Sequence, residues 1–201
     1  MPESAANRTN TKSDLLHHAR ALFARHGYEG VSMRDIAGSV GVRQSAIYNH
    51  FASKQDLLVD LMVSHMERVL EAMRAAVATA DTPEDRLEAF TRFHVTYHID
   101  HPEDVFLAYM ELRSLEDAGR AAVYPLRNAY ERTLRDILEA GVAAGTFRMG
   151  DPAVTARGLL AMLTGVTVWF REGGDLDRET VAETYVQSVL QSVGLDYPRS
   201  Q

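Results

Sequence analysis

The chain has 201 residues, enough for one large domain or two smaller ones. Its composition is that of an ordinary globular protein, with 46% apolar and 24% charged residues. It contains no cysteine, which excludes disulfide bonds, thiolate metal sites and cysteine nucleophiles. The net charge of −7 argues against a protein covered in basic residues for nucleic acid, but it leaves room for a small basic face.

The charge is unevenly distributed along the chain. Residues 1–60 carry a net charge of +1, whereas residues 61–201 carry −8, which suggests that the two parts do different work. The first residues lack the apolar core of a signal peptide. The longest apolar-rich stretch, residues 158–170, is shorter than the roughly 20 residues that span a bilayer. We therefore expect a cytoplasmic protein without a membrane segment.

Helical patterns run along the whole sequence, and strand patterns are nearly absent. Residues 1–11 are polar and are predicted to be a disordered tail. The predicted helices cover residues 11–26, 32–41, 43–50, 53–80, 83–101, 102–118, 119–145, 151–171 and 177–193. The prediction is an all-α, nine-helix, two-domain fold. Residues 12–58 form a three-helix head with a helix-turn-helix, and residues 59–201 form a C-terminal helical domain.

The segment 32–50 holds two short predicted helices separated by Gly41, as in a helix-turn-helix. Its apolar residues can face inward, which leaves polar residues on the outer face of the third helix. Arg and Gln suit base edges, and Ser, Tyr, Asn and His suit phosphates. Segment 32–54 carries a net charge of +2 in an acidic protein. These residues alone leave two interpretations open, a DNA-binding face or a corner of a helix bundle.

One run of residues favours the first interpretation. It contains Gly27-Tyr28, Val31-Ser32-Met33-Arg34-Asp35-Ile36-Ala37, Gly41-Val42, Ile47-Tyr48-Asn49-His50-Phe51 and Ser53-Lys54. This run resembles, almost position by position, the DNA-binding domain of the tetracycline-repressor (TetR/AcrR) family. The resemblance implies a homodimeric transcriptional repressor that binds double-stranded DNA. Its C-terminal domain would bind a small-molecule effector and release a pseudo-palindromic operator.

The resemblance also implies which residues bind DNA. Tyr48, His50 and Lys54 match positions that hold phosphates, and the recognition face carries Arg43, Gln44, Ser45 and Asn49. Independently of the resemblance, the positively polarised starts of the second and fourth predicted helices favour phosphate. The predicted DNA-binding set is Ser32, Arg34, Arg43, Gln44, Ser45, Tyr48, Asn49, His50 and Lys54.

The last two predicted helices are apolar on more than one side. The eighth is apolar around most of its circumference and has a seam of small residues at Gly158, Ala161 and Gly165. The ninth has two rows, one with Val181, Tyr185 and Val189 and one with Ala182, Val186, Leu190 and Val193. A helix of this kind is buried on two sides. We therefore predict a two-fold homodimer through the eighth and ninth helices, with a monomer of thicker core as the alternative.

The middle of the chain is rich in aromatic and methionine residues, which suit an adaptable apolar pocket. An ordinary core is the alternative for any single one of them, and Trp169, the only tryptophan, is the sharpest candidate. The predicted ligand-binding residues are Phe93, Tyr97, Phe106, Met110, Arg113, Arg127, Met162, Val166, Trp169 and Phe170.

Three further segments, residues 111–115, 141–147 and 168–174, resemble the subgroup of the family that represses fatty-acid or sterol breakdown. Glu172 departs from the proline usual in the third segment. This resemblance implies an acyl-CoA thioester as effector, although some members of the subgroup take other ligands. It also implies that the effector shifts the fourth helix, so that two recognition helices no longer match successive major grooves. No cofactor is expected.

A histidine pattern supports the main alternative. His94, His98 and His101 lie at i, i+4 and i+7, a spacing that can hold a zinc ion in a helical metal-binding protein or enzyme. Pro102 interrupts the helix before the third ligand position is secured, and no catalytic motif appears. We therefore expect neither a metal site nor an enzyme. A second alternative is a DNA-binding activator or architectural protein without a ligand.

Overall fold

The computed structural model describes the backbone of residues 3–195 and the side chains of residues 11–195. Over these residues the chain forms ten α-helices, one 3₁₀ turn and no strand, which confirms the all-α prediction. The helices are α1 (Glu3–His26), α2 (Met33–Val40), α3 (Gln44–Ile47), α4 (Lys54–Ala78), α5 (Pro83–Asp100), α6 (Pro102–Met110), α7 (Asp117–Ala143), α8 (Pro152–Thr164), α9 (Val166–Trp169) and α10 (Arg178–Ser192), and the 3₁₀ turn is Glu111–Ser114.

The first helix is longer than predicted. It begins at Glu3, so the residues predicted to be a disordered tail are helical from that position on, while Met1 and Pro2 lie outside the described residues. The reason is that neither proline nor glycine occurs between Pro2 and Gly27, and that Ala5 and Ala6 favour helix. The prediction relied on an apolar stripe, which this extension does not have.

The chain divides into two compact units. The head unit comprises the residues up to Met66 together with Glu103–Pro125, and the C-terminal unit comprises Glu67–Pro102 and the residues from Leu126 onward. The head unit is thus larger than the predicted segment 12–58. The added segment belongs to it because Leu107, Leu115 and Val123 are buried in the same apolar core as α1 to α4.

The core of the head unit is built by residues spaced to face inward on short helices. Phe23 of α1, Ile36 of α2, Ile47 of α3 and Leu58 of α4 are completely buried there. Burial of each such side chain stabilises the fold by about 1.5–3 kcal/mol relative to exposure. The outward faces of α2 and α3 are therefore left to polar residues.

In the C-terminal unit, α5 and α10 pack along each other, and Arg92 of α5 binds Glu88, Glu179 and Glu183 at the edge of this contact. The predicted eighth helix is interrupted. Gly165 separates α8 from the single turn α9, because glycine has a poor helix propensity and the backbone tightens around it.

Apart from Tyr185, which is half-buried, both apolar rows of the predicted ninth helix are buried within the C-terminal unit. Val181 and Val189 of one row, and Ala182 and Val186 of the other, lie on the inner side of α10. The expectation that one row is left for a second subunit is therefore wrong for this helix. The rows lie close enough around the helix for one apolar face to include both.

Candidate functional site

Both ends of α2 are fixed by local features of the chain. The Ser32 hydroxyl accepts a hydrogen bond from the Asp35 N–H at 3.2 Å, and the Asp35 carboxylate accepts one from the Ser32 N–H at 2.9 Å, which is the predicted capping box. The hydrogen bond from the Ser32 hydroxyl to this carboxylate is the largest cause that lowers the pKa of Asp35. Gly41 ends α2 with φ of 76°, a conformation that favours glycine.

The predicted DNA-reading residues divide by exposure. Ile47 is completely buried and anchors α3 in the core, so the other side of this helix faces solvent. Tyr48 is 49% exposed, and His50 and Lys54 are half-buried. The exposed members of the set are Ser32, Arg34, Arg43, Gln44, Ser45, Tyr48 and Asn49. We call Arg43, Gln44, Ser45, Tyr48 and Asn49 the reading face.

Lys54, a predicted phosphate contact, also has partners within the protein. Its Nζ donates hydrogen bonds to the carbonyl oxygens of Tyr28 at 2.9 Å and Val31 at 3.0 Å. The same Nζ lies 4.0 Å from the centre of the Tyr28 ring, within the range of a cation–π interaction. Lys54 therefore clamps the loop between α1 and α2, and two of its three donor positions are occupied.

Sequence reasoning missed the other partners of this loop. The buried Glu111 carboxylate accepts the Tyr28 N–H at 3.0 Å and the Ser114 hydroxyl at 2.7 Å. The Gln55 amide nitrogen donates to the Tyr28 hydroxyl at 2.9 Å and to the Ser114 carbonyl at 2.6 Å. These contacts fix the start of α2. They join residues far apart in sequence, so no local pattern could have revealed them.

The ten predicted ligand-binding residues are divided between the two units. Phe106, Met110 and Arg113 belong to the head unit, where Phe106 packs against the core and the other two are exposed. In the C-terminal unit Val166 is buried and Trp169 is 46% exposed. The remaining five are partly exposed or exposed and are Phe93, Tyr97, Arg127, Met162 and Phe170.

Two of the three predicted histidines lie stacked inside the C-terminal unit. His94 is completely buried, and its ring lies 3.7 Å from that of His98. Its Nδ1 is 3.1 Å from the Tyr130 hydroxyl and its Nε2 is 3.2 Å from the Thr164 hydroxyl. Burial, with a smaller contribution from the charge of His98, holds the pKa of His94 well below its usual value.

This geometry does not support the metal-binding alternative. Both ring nitrogens of His94 are engaged by hydroxyl groups. The His101 ring lies against Tyr97, with the ring centres 4.3 Å apart and the planes tilted by 41°, instead of joining the pair. Among the side chains that the structure describes, no group of three His, Asp or Glu residues could hold a metal ion.

A pocket of about 550 Å³ opens at the C-terminal end of α5. His98, Ile99 and Pro102 line one part of it, and Thr167 and Phe170 line another. Its charged lining residues are Asp100, Arg171, Glu172 and Arg178. All of these residues belong to the C-terminal unit. Of the predicted ligand-binding residues, Phe170 lines this pocket.

Comparison with known families identifies both parts of the chain. Residues 15–61 match the family described as bacterial regulatory proteins, tetR family. Residues 80–193 match the family described as tetracyclin repressor-like, C-terminal domain. The chain belongs to the TetR family. It is a ligand-responsive, DNA-binding transcriptional repressor, in agreement with the sequence prediction, and the members of this family are regulators of transcription.

Similar proteins cover nearly the whole TetR-family chain. The HTH-type transcriptional repressor KstR2 of Mycolicibacterium smegmatis is 28% identical over 94% of this chain and 93% of its own. A solved tetR-family regulator from Rhodococcus RHA1 superposes with a TM-score of 0.87 at 28% identity, covering 92% of this chain and 98% of its own. AibR, solved with isovaleryl coenzyme A and operator DNA, has a TM-score of 0.81 at 27% identity, with 88% and 96% covered.

An exposed apolar stripe remains on α8 and α9 of this TetR-family chain. Val154 is 67% exposed and Val168 is 75% exposed, and the small residues Gly158 and Ala161 are exposed between them. Exposed valines in a row beside small residues are unusual for a surface that faces water alone. No helix among the described residues is long and apolar enough to cross a membrane.

Proposed function

We propose that this repressor reads the major groove of its operator with the reading face of α3. The observation that carries this proposal is the exposure of five polar side chains on α3 and at its two ends, while Ile47 holds the other side of the helix in the core. Arg43 and Gln44 are suited to base edges, and Tyr48 to a phosphate. Lys54 contributes indirectly, because it fixes the loop that precedes α2.

The proposed effector is an acyl-CoA thioester. The three segments that resemble the acyl-CoA-responsive subgroup support it, as does the similarity to AibR, which was solved with isovaleryl coenzyme A and operator DNA. In this proposal the effector binds in the C-terminal domain, residues 59–201, and lowers the affinity of the head, residues 12–58, for DNA. The differential affinity of the effector for the DNA-free state would drive release.

The proposed assembly is a two-fold homodimer through α8, α9 and α10. The exposed stripe of Val154, Gly158, Ala161 and Val168 would form its centre, because small residues allow helices to approach closely. α10 would add its outer polar side, where Thr184 and Ser188 are exposed. Two reading faces would then meet half-sites about 34–36 Å apart, one turn of DNA.

DNA binding can be tested with a duplex selected in vitro by the wild-type protein. We expect Arg43→Ala to weaken binding to the selected duplex by about 1–3 kcal/mol per half-site, through the loss of discrimination at one base position. Tyr48→Ala should weaken binding to all sequences and reduce its salt dependence. Arg132→Ala, which removes an exposed arginine of α7, serves as the matched control. Unchanged DNA affinity in both reading-face variants would contradict the proposal.

Effector binding can be tested by adding acyl-CoAs of increasing chain length to the preformed protein–DNA complex. We expect release of the DNA and quenching of Trp169 fluorescence, with coenzyme A alone as the control. An absence of release with every chain length would refute the thioester. For the dimer, Val154→Arg should shift the molecular mass in solution toward the monomer, because it places charge in the proposed interface.

A further inference from the structure

The pocket at the end of α5 combines a buried floor with apolar walls. His98 lines it although the residue is only 3% exposed, so the pocket reaches from the surface to the interior of the unit. Ile99, Pro102 and Phe170 supply apolar surface. A volume of about 550 Å³ is in the range of small-molecule sites, which are concave, mostly apolar and provided with a few polar groups.

Two arginines give the pocket a positive edge. Arg178 binds Asp100 at 2.9 Å, and both side chains are about half exposed. Arg171 donates from Nη1 to the Phe170 carbonyl at 2.7 Å and from Nη2 to the Val168 carbonyl at 3.2 Å, so peptide oxygens hold its guanidinium in place. An exposed ion pair such as Arg178–Asp100 contributes little to stability, and an anionic ligand can exchange with Asp100 at small cost.

The acidic lining residues cancel this positive edge only in part. Asp100 is already bound to Arg178, and Glu172 is exposed to solvent beside Arg171. The guanidinium of Arg171 is oriented by neutral carbonyl groups, so its charge is available to an anion. Guanidinium groups match phosphate and carboxylate oxygens through paired hydrogen bonds.

The floor of the pocket is joined to two other helices. His98 stacks on His94, and His94 reaches Tyr130 of α7 and Thr164, the last residue of α8. Gly165 follows directly and starts the break before α9, whose Thr167 also lines the pocket. The Thr167 hydroxyl donates a hydrogen bond to the Thr164 carbonyl at 2.9 Å. A ligand in contact with His98 and Thr167 therefore touches the two residues that flank the His94, Tyr130 and Thr164 group, one through ring stacking and one through a hydrogen bond.

We propose that this pocket binds an amphipathic anion, with its apolar chain against Ile99, Pro102 and Phe170 and its anionic groups at Arg171 and Arg178. This inference rests on the proposed function in one respect: the acyl thioester is taken as the amphipathic anion. The phosphates of the coenzyme, or a free carboxylate, would bind the two arginines through the same kind of charge-assisted hydrogen bonds. In this proposal the acyl end lies in the pocket and the nucleotide lies outside it.

The test compares three probes on the intact protein: an acyl-CoA, the N-acetylcysteamine thioester of the same acyl group, which lacks phosphates, and the free acid. Calorimetry measures affinity, and a DNA-release assay is run in parallel. In the double variant Arg171→Ala/Arg178→Ala we expect acyl-CoA binding to weaken by about tenfold or more, the loss of one or two charge-assisted hydrogen bonds. The phosphate-free thioester should bind the variant as it binds the wild type.

Controls and outcomes separate this inference from the proposed function. Arg132→Ala, outside the pocket, should change neither the affinity for the acyl-CoA nor that for the phosphate-free thioester. The melting temperature of the double variant should stay close to that of the wild type. If acyl-CoA releases DNA but the double variant binds it normally, the pocket assignment is wrong and the proposed effector stands. If the variant loses affinity but no thioester releases DNA, the pocket stands and the effector role fails. If none of the three probes binds, both are overturned.

Discussion

Lys54→Met separates two roles for a lysine at the start of α4. The substitution keeps the length and apolar stem of the side chain and removes the ammonium group. If Lys54 is a clamp, the loss falls on the free energy of unfolding, because the carbonyl oxygens of Tyr28 and Val31 lose their donor. If Lys54 instead only contacts a phosphate, stability is unchanged and the loss falls on DNA affinity.

The size of the effect follows from three contacts. Hydrogen bonds with one charged partner contribute about 1.5–3 kcal/mol each when buried, and the half-buried position of Lys54 places these two at the lower end. The contact of Nζ with the Tyr28 ring, at 4.0 Å, adds about 0.5–1 kcal/mol. Because the contacts share one group and are not additive, we expect a loss of about 2–4 kcal/mol. For a chain of this size that lowers the melting temperature by roughly 4–16 °C.

The assay pairs thermal unfolding with a salt titration of DNA binding. Removal of a phosphate contact reduces the slope of log affinity against log salt by about 0.9 per contact on duplex DNA. Lys54→Met should lower the melting temperature and leave this slope nearly unchanged. Arg34→Met, at an exposed position of the same head unit, should leave the melting temperature unchanged. A normal melting temperature together with a reduced slope for Lys54→Met would refute the clamp.

Three further substitutions test the interior of both units. Because burial depresses the pKa of His94, the unfolded chain binds this proton at a higher pH than the folded chain does. The free energy of unfolding should therefore fall as the pH drops below about 6.5, by up to about 1.4 kcal/mol per pH unit. Urea unfolding at several pH values should show that His94→Gln flattens this dependence, whereas the control His17→Gln, at an exposed position, does not. Glu111→Ala leaves the buried Tyr28 N–H without its acceptor and should cost about 1–3 kcal/mol more than Glu111→Gln, which retains an oxygen there; equal stability would contradict this. Gly141→Ala brings a methyl group within 1.9 Å of the buried Phe147 ring and should destabilise by about 1–3 kcal/mol or more, against little change for Gly150→Ala, where the space is open.

The local elements of the head could be predicted from sequence because their causes are local. Ser32 and Asp35 lie three residues apart, and this spacing alone defines the capping box that the structure contains. Gly41 marks the end of α2 for an equally local reason. The exposed positions of the reading face follow from the helical period of the predicted third helix, residues 43–50, once Ile47 is assigned to the core, although α3 itself covers only Gln44–Ile47.

The contacts that organise the site could not be predicted in the same way. Tyr28 is contacted by Lys54, Gln55 and Glu111, which are far from it in sequence. A local sequence pattern does not predict such long-range contacts. The pocket at His98 has the same origin, since its lining comes from two stretches far apart in the chain, residues 98–102 and 167–178. The two apolar rows of α10 show a further limit of sequence patterns. The helical period placed the apolar residues correctly, but it does not say whether the same chain or a second subunit covers each row.

The sharing of one core by α1–α4 and the segment 103–125 bears on how such repressors can be recombined. A head cut from this chain after Met66 would leave behind Leu107, Leu115 and Val123, whose places in its interior would be open to water. A hybrid regulator that exchanges operator specificity must therefore carry two separate stretches of sequence, or confine the exchange to the surface residues of α3. The second route changes few residues, and it preserves the attachment through which any effector domain must act.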